Sequence, residues 1–422
     1  MKSSSKQYLN RFAEKQAQTI AQTIANRPTG KPYQYVLTIP AYREDAAFFL
    51  RLKHTLLAQH NVLLIIVINQ PDRNDNAAAD TQRNQQLWDT IENNTDSQEQ
   101  YLDFSILQCG ASSIILLDRF NKGLEIPIKQ GVGLARKIAC DIACHLIEEK
   151  MIHNQWIHTT DADTTLPDHY FSALEEQVQY QHSAAIYSFT HKGSNSTIDN
   201  ATQLYEQALN YYVTGLQWAG SSYAFHTIGS CIAINAKHYM QARGYPKRAG
   251  GEDFYLLNKL AKLGKVINIE GCELTIDARL SERVPFGTGP TVEKIINNNG
   301  CKYYNPMIFI ELKHIVAAGN TLFENKNETR QWMQQLTAAQ QKALMAIGIE
   351  HFFKHLAQQI KTQSQCEQHW QDWLDAFKTL KLIHALEEYY PKVPLEQAID
   401  TFCALQARED MQDSNQHRHP HH

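Results

Sequence analysis

Two rhythms of apolar and polar positions alternate along the chain. VLLIIVI (62–68) is a continuous apolar run rich in β-branched residues, the pattern of a strand covered on both faces, as in a parallel sheet. YQYVLTI (33–39) predicts another strand, stopped by Pro40. Between them DAAFFLRLKHTLLAQ (45–59) has helical spacing, so the three segments predict a βαβ unit with its loops at the carboxyl ends of the strands. SIILL (113–117) predicts a short strand, GLARKIACDIACHLIEEK (133–150) an amphipathic helix, and WIHTT (156–160) a strand running straight into Asp161. Pro167 marks the first turn of a following helix. AAIYSF (184–189) and SCIAIN (230–235) read as strands separated by a long helix at 199–218. EDFYLLNKLAKLG (252–264) reads as a helix closed by glycine, and KVINIE (265–270) as the next strand. The polar, Asn/Asp/Gln-rich stretch 70–100 predicts a mobile excursion.

From about 306 the rhythm is helical only, as in TRQWMQQLTAAQQKALMAIGI and HWQDWLDAFKTLKLIHALEEYY, and no strand is predicted. The 422 residues exceed what one core usually serves. The expected division is a polar helical extension over 1–30 that ends at Pro28 and Gly30, an α/β domain over 31–305, an all-helical module over 306–410 and a disordered His-rich tail over 411–422. The imidazoles of HRHPHH at the end of that tail could also take a transition metal.

Charge narrows the function classes. The net charge of -4 leaves no broad basic field, so a nucleic-acid partner is not expected. Eight cysteines without a CxxC pair predict reduced thiols and a cytoplasmic protein. No apolar run reaches the roughly 20 residues that span a bilayer, and the N-terminus lacks a signal-peptide apolar core. Peripheral membrane contact is left open.

Four constellations carry chemistry. In HTTDADTTLPDHY (158–170), Asp161 and Asp163 follow directly on a predicted strand. Hard cations such as Mn²⁺ or Mg²⁺ take oxygen ligands, usually one or two carboxylates plus phosphate oxygens, so this pair predicts a metal–diphosphate site. In GYPKRAGGEDFYLLNKLAKLG (244–264), Gly250 and Gly251 turn the backbone into a helix whose first turn holds Glu252 and Asp253. Helix-dipole stabilisation alone favours acids there; the functional reading makes Asp253 a general base and Glu252 an acceptor contact. In DARLSERVPFGTG (277–289), Arg279 and Arg283 precede Gly287 and Gly289, which reads as a cationic lid over a departing diphosphate. The fourth group sits at predicted strand ends and a helix start: Pro40, Tyr42, Arg43 and Glu44; Asn69, Gln70 and Asp72; Lys129, Gly131, Gly133, Arg136 and Lys137. These positions can read a nucleobase and ribose or meet phosphate at the helix N-terminus. His226 is a candidate further metal ligand, and Trp218 and Tyr223 are either a stacking platform for a sugar ring or core.

In this order, LTIPAYRED, VINQPD, KQGVGLARKIACD, TTDADT and GSCIAINAKHYMQARGYPKRAGGEDFYLL resemble the family-2-like GT-A glycosyltransferases over roughly 33–290. The resemblance implies a Rossmann-like mixed sheet flanked by helices, with a nucleotide-binding half and an acceptor-binding half. It implies transfer of a sugar from a nucleotide-diphosphate donor to an acceptor hydroxyl, with Asp161 on ribose or metal, Asp163 on the metal and Asp253 as base. By this analogy the reaction is a direct displacement with inversion; retaining GT-A enzymes share the metal site, so that site alone does not set the stereochemistry. The family's processive members carry a QxxRW pattern where this chain reads RLSER, so polymer synthesis is not implied. The second strand ends in INQPD rather than the usual acid, a departure at the base and ribose contacts. Two other readings compete: a catalytically silent binding protein on the same scaffold, and a sugar-1-phosphate nucleotidyltransferase. The latter wants a Gly-rich loop after the first strand, where this chain has IPAYRED.

Overall fold

The predicted βαβ unit seeds a larger sheet. A computed structural model describes residues 2–27, 32–73, 75–193, 195–279, 287–298 and 300–416. Its strands are β1 (Tyr35–Ala41), β2 (Val62–Asn69), β3 (Ser97–Gln100), β4 (Phe104–Cys109), β5 (Ser112–Arg119), β6 (Trp156–Thr159), β7 (Thr164–Thr165), β8 (His182–Lys192), β9 (Ile232–Asn235) and β10 (Lys265–Asp277). They form one ten-stranded sheet in the order β3-β4-β5-β2-β1-β6-β9-β8-β10-β7. β5, β2, β1 and β6 run parallel, and β10 runs parallel to β8. β9 is antiparallel to both β6 and β8, so β8 and β10 point the same way as β1. The carboxyl ends of β1, β2, β6 and β10 therefore lie on one edge, where open α/β sheets bind ligands. The mixed α/β sheet flanked by helices, with a helical C-terminal region, is the architecture that the apolar pattern predicts.

β2 is buried along its whole length because sheet neighbours and helices cover it on every side. Pro40 is tolerated in a central strand because β6 pairs with β1 only as far as Thr38 before the chain leaves toward Asp161. His158 sits among Tyr35, Tyr170, Phe171 and Tyr187. Burial there pulls its imidazole down to about 3, so it is a neutral core residue.

The chain divides into two compact units that are not consecutive in sequence. The first comprises Met1–Ser194 and Thr227–Phe286 and holds the sheet; the second comprises Asn195–His226 and Gly287–His422. The helix Ser196–Trp218, read above as part of the α/β region, thus belongs to the second unit. Within that unit Tyr211, Phe309, Phe352, Trp332, Trp370 and Phe402 build an aromatic-rich core. Lys302–Tyr303 pairs antiparallel with Val393–Pro394, and the latter lies in the region from about 306 where no strand was expected. The terminal helix runs Leu395–Gln416, and the HRHPHH residues lie outside the described residues. All eight cysteines are free, and among the described residues no helix is long and apolar enough to cross a membrane.

Three local expectations are corrected. The stretch 70–100 is not a loose excursion: Ala77–Asn93 is a helix that buries Asp80, Asn84, Leu87 and Ile91, followed by edge strand β3. The helix expected over 45–59 breaks at Thr55. The helix after Asp163 begins at Tyr170, so Pro167 precedes it and supplies the carbonyl that accepts the Tyr170 N–H.

The N-terminal extension is part of the first unit. Helices Lys2–Arg11 and Lys15–Ala25 bury Tyr8, Ala17, Ile20, Ala21 and Ile24. Tyr8 donates its hydroxyl to Asp141 Oδ1 at 2.5 Å and accepts from Lys137 Nζ at 2.7 Å. Asp141 Oδ2 accepts from Lys137 Nζ and from the Glu14 amide, and Tyr239 closes the cluster on Oδ1. Asp141 and Lys137 lie on the helix Gly131–Glu148, which packs on β1 and β2. Tyr8→Phe removes one hydroxyl and leaves two buried charged groups short of a partner. It should lower stability by about 1–3 kcal/mol in chemical denaturation with an unchanged slope.

Candidate active site at the carboxyl edge of the sheet

The site is built around a turn. Thr164 N–H bonds back to the Asp161 carbonyl, so Asp161-Ala162-Asp163-Thr164 closes a tight turn directly after β6. Ala162 points into the core while both carboxylates remain partly exposed. β7 then pairs with the end of β10, and the Asp277 N–H bonds to the Asp163 carbonyl at 2.9 Å. That pairing delivers Arg279, two residues beyond β10, to the Asp163 side chain.

Two arginines hold the acids. Arg136, 3% exposed, donates Nε to Glu252 at 3.0 Å, one terminal nitrogen to Thr159 at 3.0 Å and the other to Asp161 at 2.7 Å. Burial pulls against its charge, but the Asp161 and Glu252 carboxylates more than offset this and keep the guanidinium protonated. Read from sequence as a phosphate contact, Arg136 is instead an internal tie, with all three of these donors taken by protein acceptors. Arg279 donates to both oxygens of Glu44, at 2.9 and 2.5 Å, and to Asp163 Oδ2 at 2.9 Å. Asp277 also feels this group: burial raises its carboxyl above the usual range, with Arg51 and Arg279 opposing and Asp163 and Glu44 adding.

Glycines permit the close approach of three segments. A Cβ at Gly229 would sit 2.5 Å from an Arg136 terminal nitrogen. One at Gly133 would sit 2.4 Å from the Pro246 carbonyl oxygen, where the Gly133 N–H bonds to the Arg248 carbonyl. The start of the Arg136 helix is thereby pressed against the loop that leads into Glu252 and Asp253.

Gly251 adopts φ +70° immediately before the helix Glu252–Leu260, as the doublet predicted. Asp253 is half-buried, and its Oδ1 accepts the Phe254 N–H at 2.7 Å. Loss of water contact and then the neighbouring Glu252 charge push its carboxyl up to about 7, against pulls from the Phe254 amide and Arg136. A carboxylate of this strength at neutral pH is suited to proton transfer.

The donor-side candidates gather at the ends of β1 and β2. Asn69 is buried, and its Oδ1 lacks a hydrogen-bond partner among the described residues. Tyr42 donates to Asp80 Oδ2 at 2.6 Å, and Arg43, at φ +57°, pairs with Asp80 Oδ1 at 2.6 Å. Asn84 accepts the Arg43 N–H and reaches the Asn69 carbonyl and Gln70. Asp80 and Asn84 were missed by sequence reasoning; an Asp and an Asn four apart, facing one way on a helix, were the available signal. Asp72 bonds the Ile128 N–H through Oδ1, which fixes the segment carrying the exposed Lys129 alongside β2.

The remaining candidates fall in the second unit or outside the described residues. Arg283 is outside the described residues. Gly287 and Gly289 do not form a free loop: Gly287 caps the helix Thr288–Asn297, and Gly289 is buried in its first turn. His226 belongs to the second unit, half-buried, with burial holding its imidazole below the usual range. Trp218 packs on Phe402 and Lys313, and Tyr223 is buried, so both are core of that unit. Among the described residues no group of three or more His, Cys, Asp or Glu is gathered as a metal cage. The Asp161–Asp163 turn, with two carboxylates, fits a hard cation that arrives with phosphate oxygens of its own.

No protein-family model matches the chain. No curated protein matches it either. Among solved structures it is similar to GalNAc-T7 with UDP, GalNAc and Mn²⁺, at 11% identity over 64% of this chain, with a TM-score of 0.33. The chain spans about half, 49%, of the length of that protein. It is also similar to glucosyl-3-phosphoglycerate synthase from Mycobacterium tuberculosis in complex with Mn²⁺, uridine-diphosphate and glucosyl-3-phosphoglycerate. That match has 11% identity, covers 68% of this chain and 88% of the other, and has a TM-score of 0.31.

Proposed function

We propose that the first unit is a metal-dependent glycosyltransferase of the GT-A type, moving a sugar from a nucleotide-diphosphate donor to an acceptor hydroxyl. The observation that carries this reading is the pairing of two acid groups through one buried arginine. Asp161, on the metal-type turn, and Glu252, beside the about-7 carboxylate of Asp253, both bind Arg136. A donor site and a proton-transfer site are thus held in one frame.

In this reading the base and ribose rest near Tyr42 and Asn69, where the unpartnered Asn69 oxygen takes a donor from the ligand. Asp163 and Asp161 would hold Mn²⁺ or Mg²⁺, which supplies positive charge to the diphosphate as the sugar departs. Arg279, at the same turn, adds a second cation against the leaving group. Asp253 accepts the acceptor's hydroxyl proton as its oxygen attacks the anomeric carbon. The sugar's configuration inverts, because attack and departure take opposite faces. Glu252 Oε1 accepts from Arg136 Nε, so in this reading it holds the base's surroundings rather than the acceptor itself.

Substitutions and the pH profile test the assignment. Asp163→Asn should abolish Mn²⁺-stimulated transfer or hydrolysis of the nucleotide sugar; unchanged metal stimulation would remove the metal role from this turn. Asp253→Asn should lower kcat about 10²- to 10⁴-fold, the usual worth of a positioned proton acceptor, while donor binding is retained. The pH profile follows from the raised carboxyl of Asp253. The base works only when deprotonated, so kcat/KM should rise with pH through a limb centred at about 7. Replacing Glu252 with Gln removes the neighbouring like charge and should move that limb to lower pH. A limb that stays in place would assign it to another group.

A further inference from the structure

The guanidinium of Arg279 already occupies a cation's position. It spans Glu44 and Asp163, residues 235 and 116 positions away in sequence, and a third carboxylate, Asp277, lies within its electrostatic reach. The backbone that carries it is fixed, because β10 pairs with β7 and Asp277 is bonded to the Asp163 carbonyl. The side chain is less committed. It is 36% exposed, and its Nε is buried without a hydrogen-bond partner among the described residues although both terminal nitrogens are engaged. Asp163 cannot give Oδ2 both to this guanidinium and to a metal ion at full strength.

We propose that Arg279 is a built-in counter-ion of the metal site, which a divalent cation displaces from Asp163 as the nucleotide diphosphate arrives. The inference rests on the metal–diphosphate reading above. Before the donor binds, Arg279 neutralises Asp163, so the turn keeps its shape without a metal and holds free metal weakly. With Asp163 given over to a metal, the two-point grip of Glu44 would keep Arg279 beside the turn. The Nη2 hydrogen freed from Asp163 would then be available to a phosphate oxygen, while the other Nη2 hydrogen stays on Glu44. Metal and nucleotide should consequently favour one another, since each relieves the charge imbalance that the other creates.

The test is a Mn²⁺ titration of the full chain with metal alone, followed by the electron paramagnetic resonance signal of the free ion. Arg279→Gln should bind Mn²⁺ about tenfold more tightly than the unchanged chain, because removing one positive charge a few ångströms from the ion raises its affinity. Arg279→Lys, which keeps the charge, should bind weakly. Adding Asp163→Asn to Arg279→Gln should abolish the gain and so locate it. Thermal melts establish that each variant is folded. Equal or weaker Mn²⁺ binding by folded Arg279→Gln overturns the counter-ion role while leaving the metal site in place. Absence of Mn²⁺ binding by every folded form overturns the metal reading itself, and this inference with it.

Discussion

One buried guanidinium holds the site together. Removing a charge from water costs several kcal/mol even after the protein relaxes, and breaking a buried pair commonly costs about 3–5 kcal/mol. Arg136 is stable where it is only because Asp161, Glu252 and Thr159 all receive its hydrogens. The dependence runs in both directions: without Arg136, the turn after β6 and the helix start at Glu252 would each keep an acid with no counter-charge. The helix that carries Arg136 is fixed one turn further on by Lys137 and Asp141, and these in turn bind Tyr8 of the N-terminal helix. The outermost segment of the unit is thereby connected to the chemistry through three consecutive buried polar contacts.

Around this tie the site has more carboxylates than cations. Glu44, Asp161, Asp163, Glu252, Asp253 and Asp277 face Arg136 and Arg279, with Arg51 nearby. An anionic diphosphate would not enter such a set unaided. The excess negative charge is what a divalent cation would offset, whereas the Asp253 carboxyl is raised first by burial and then by the neighbouring Glu252 charge.

Strands buried on both faces announced themselves in the sequence, because continuous β-branched runs such as 62–68 have few other uses. The turn at Asp161 and the helix start at Gly251 were legible for the same local reason: strand, turn and helix signals are adjacent in sequence. The helix Ala77–Asn93 was not, since its surface is Asn- and Gln-rich and only four residues are buried. Long-range pairings left no local trace at all. The Arg279–Glu44 contact joins positions 235 apart, and the buried role of Arg136 depends on Gly229 and on a helix start 116 residues away. The helix Ser196–Trp218 has the spacing of any amphipathic helix, so nothing local to it says which unit it completes.

The acidic turn and its arginines are proposed as a site for a nucleotide diphosphate bound together with a metal ion. The most direct measurement is the melting temperature of the full chain against UDP-, GDP- and dTDP-sugars, each with and without Mn²⁺. A ligand that binds the folded form raises stability by about 2.7 kcal/mol at a hundred times its dissociation constant. One nucleotide class should raise the melting temperature strongly with Mn²⁺ and only weakly without it, and Asp163→Asn should lose the metal-dependent part. No response to any of the donors, with or without Mn²⁺, would contradict it and favour a scaffold whose acids serve structure alone.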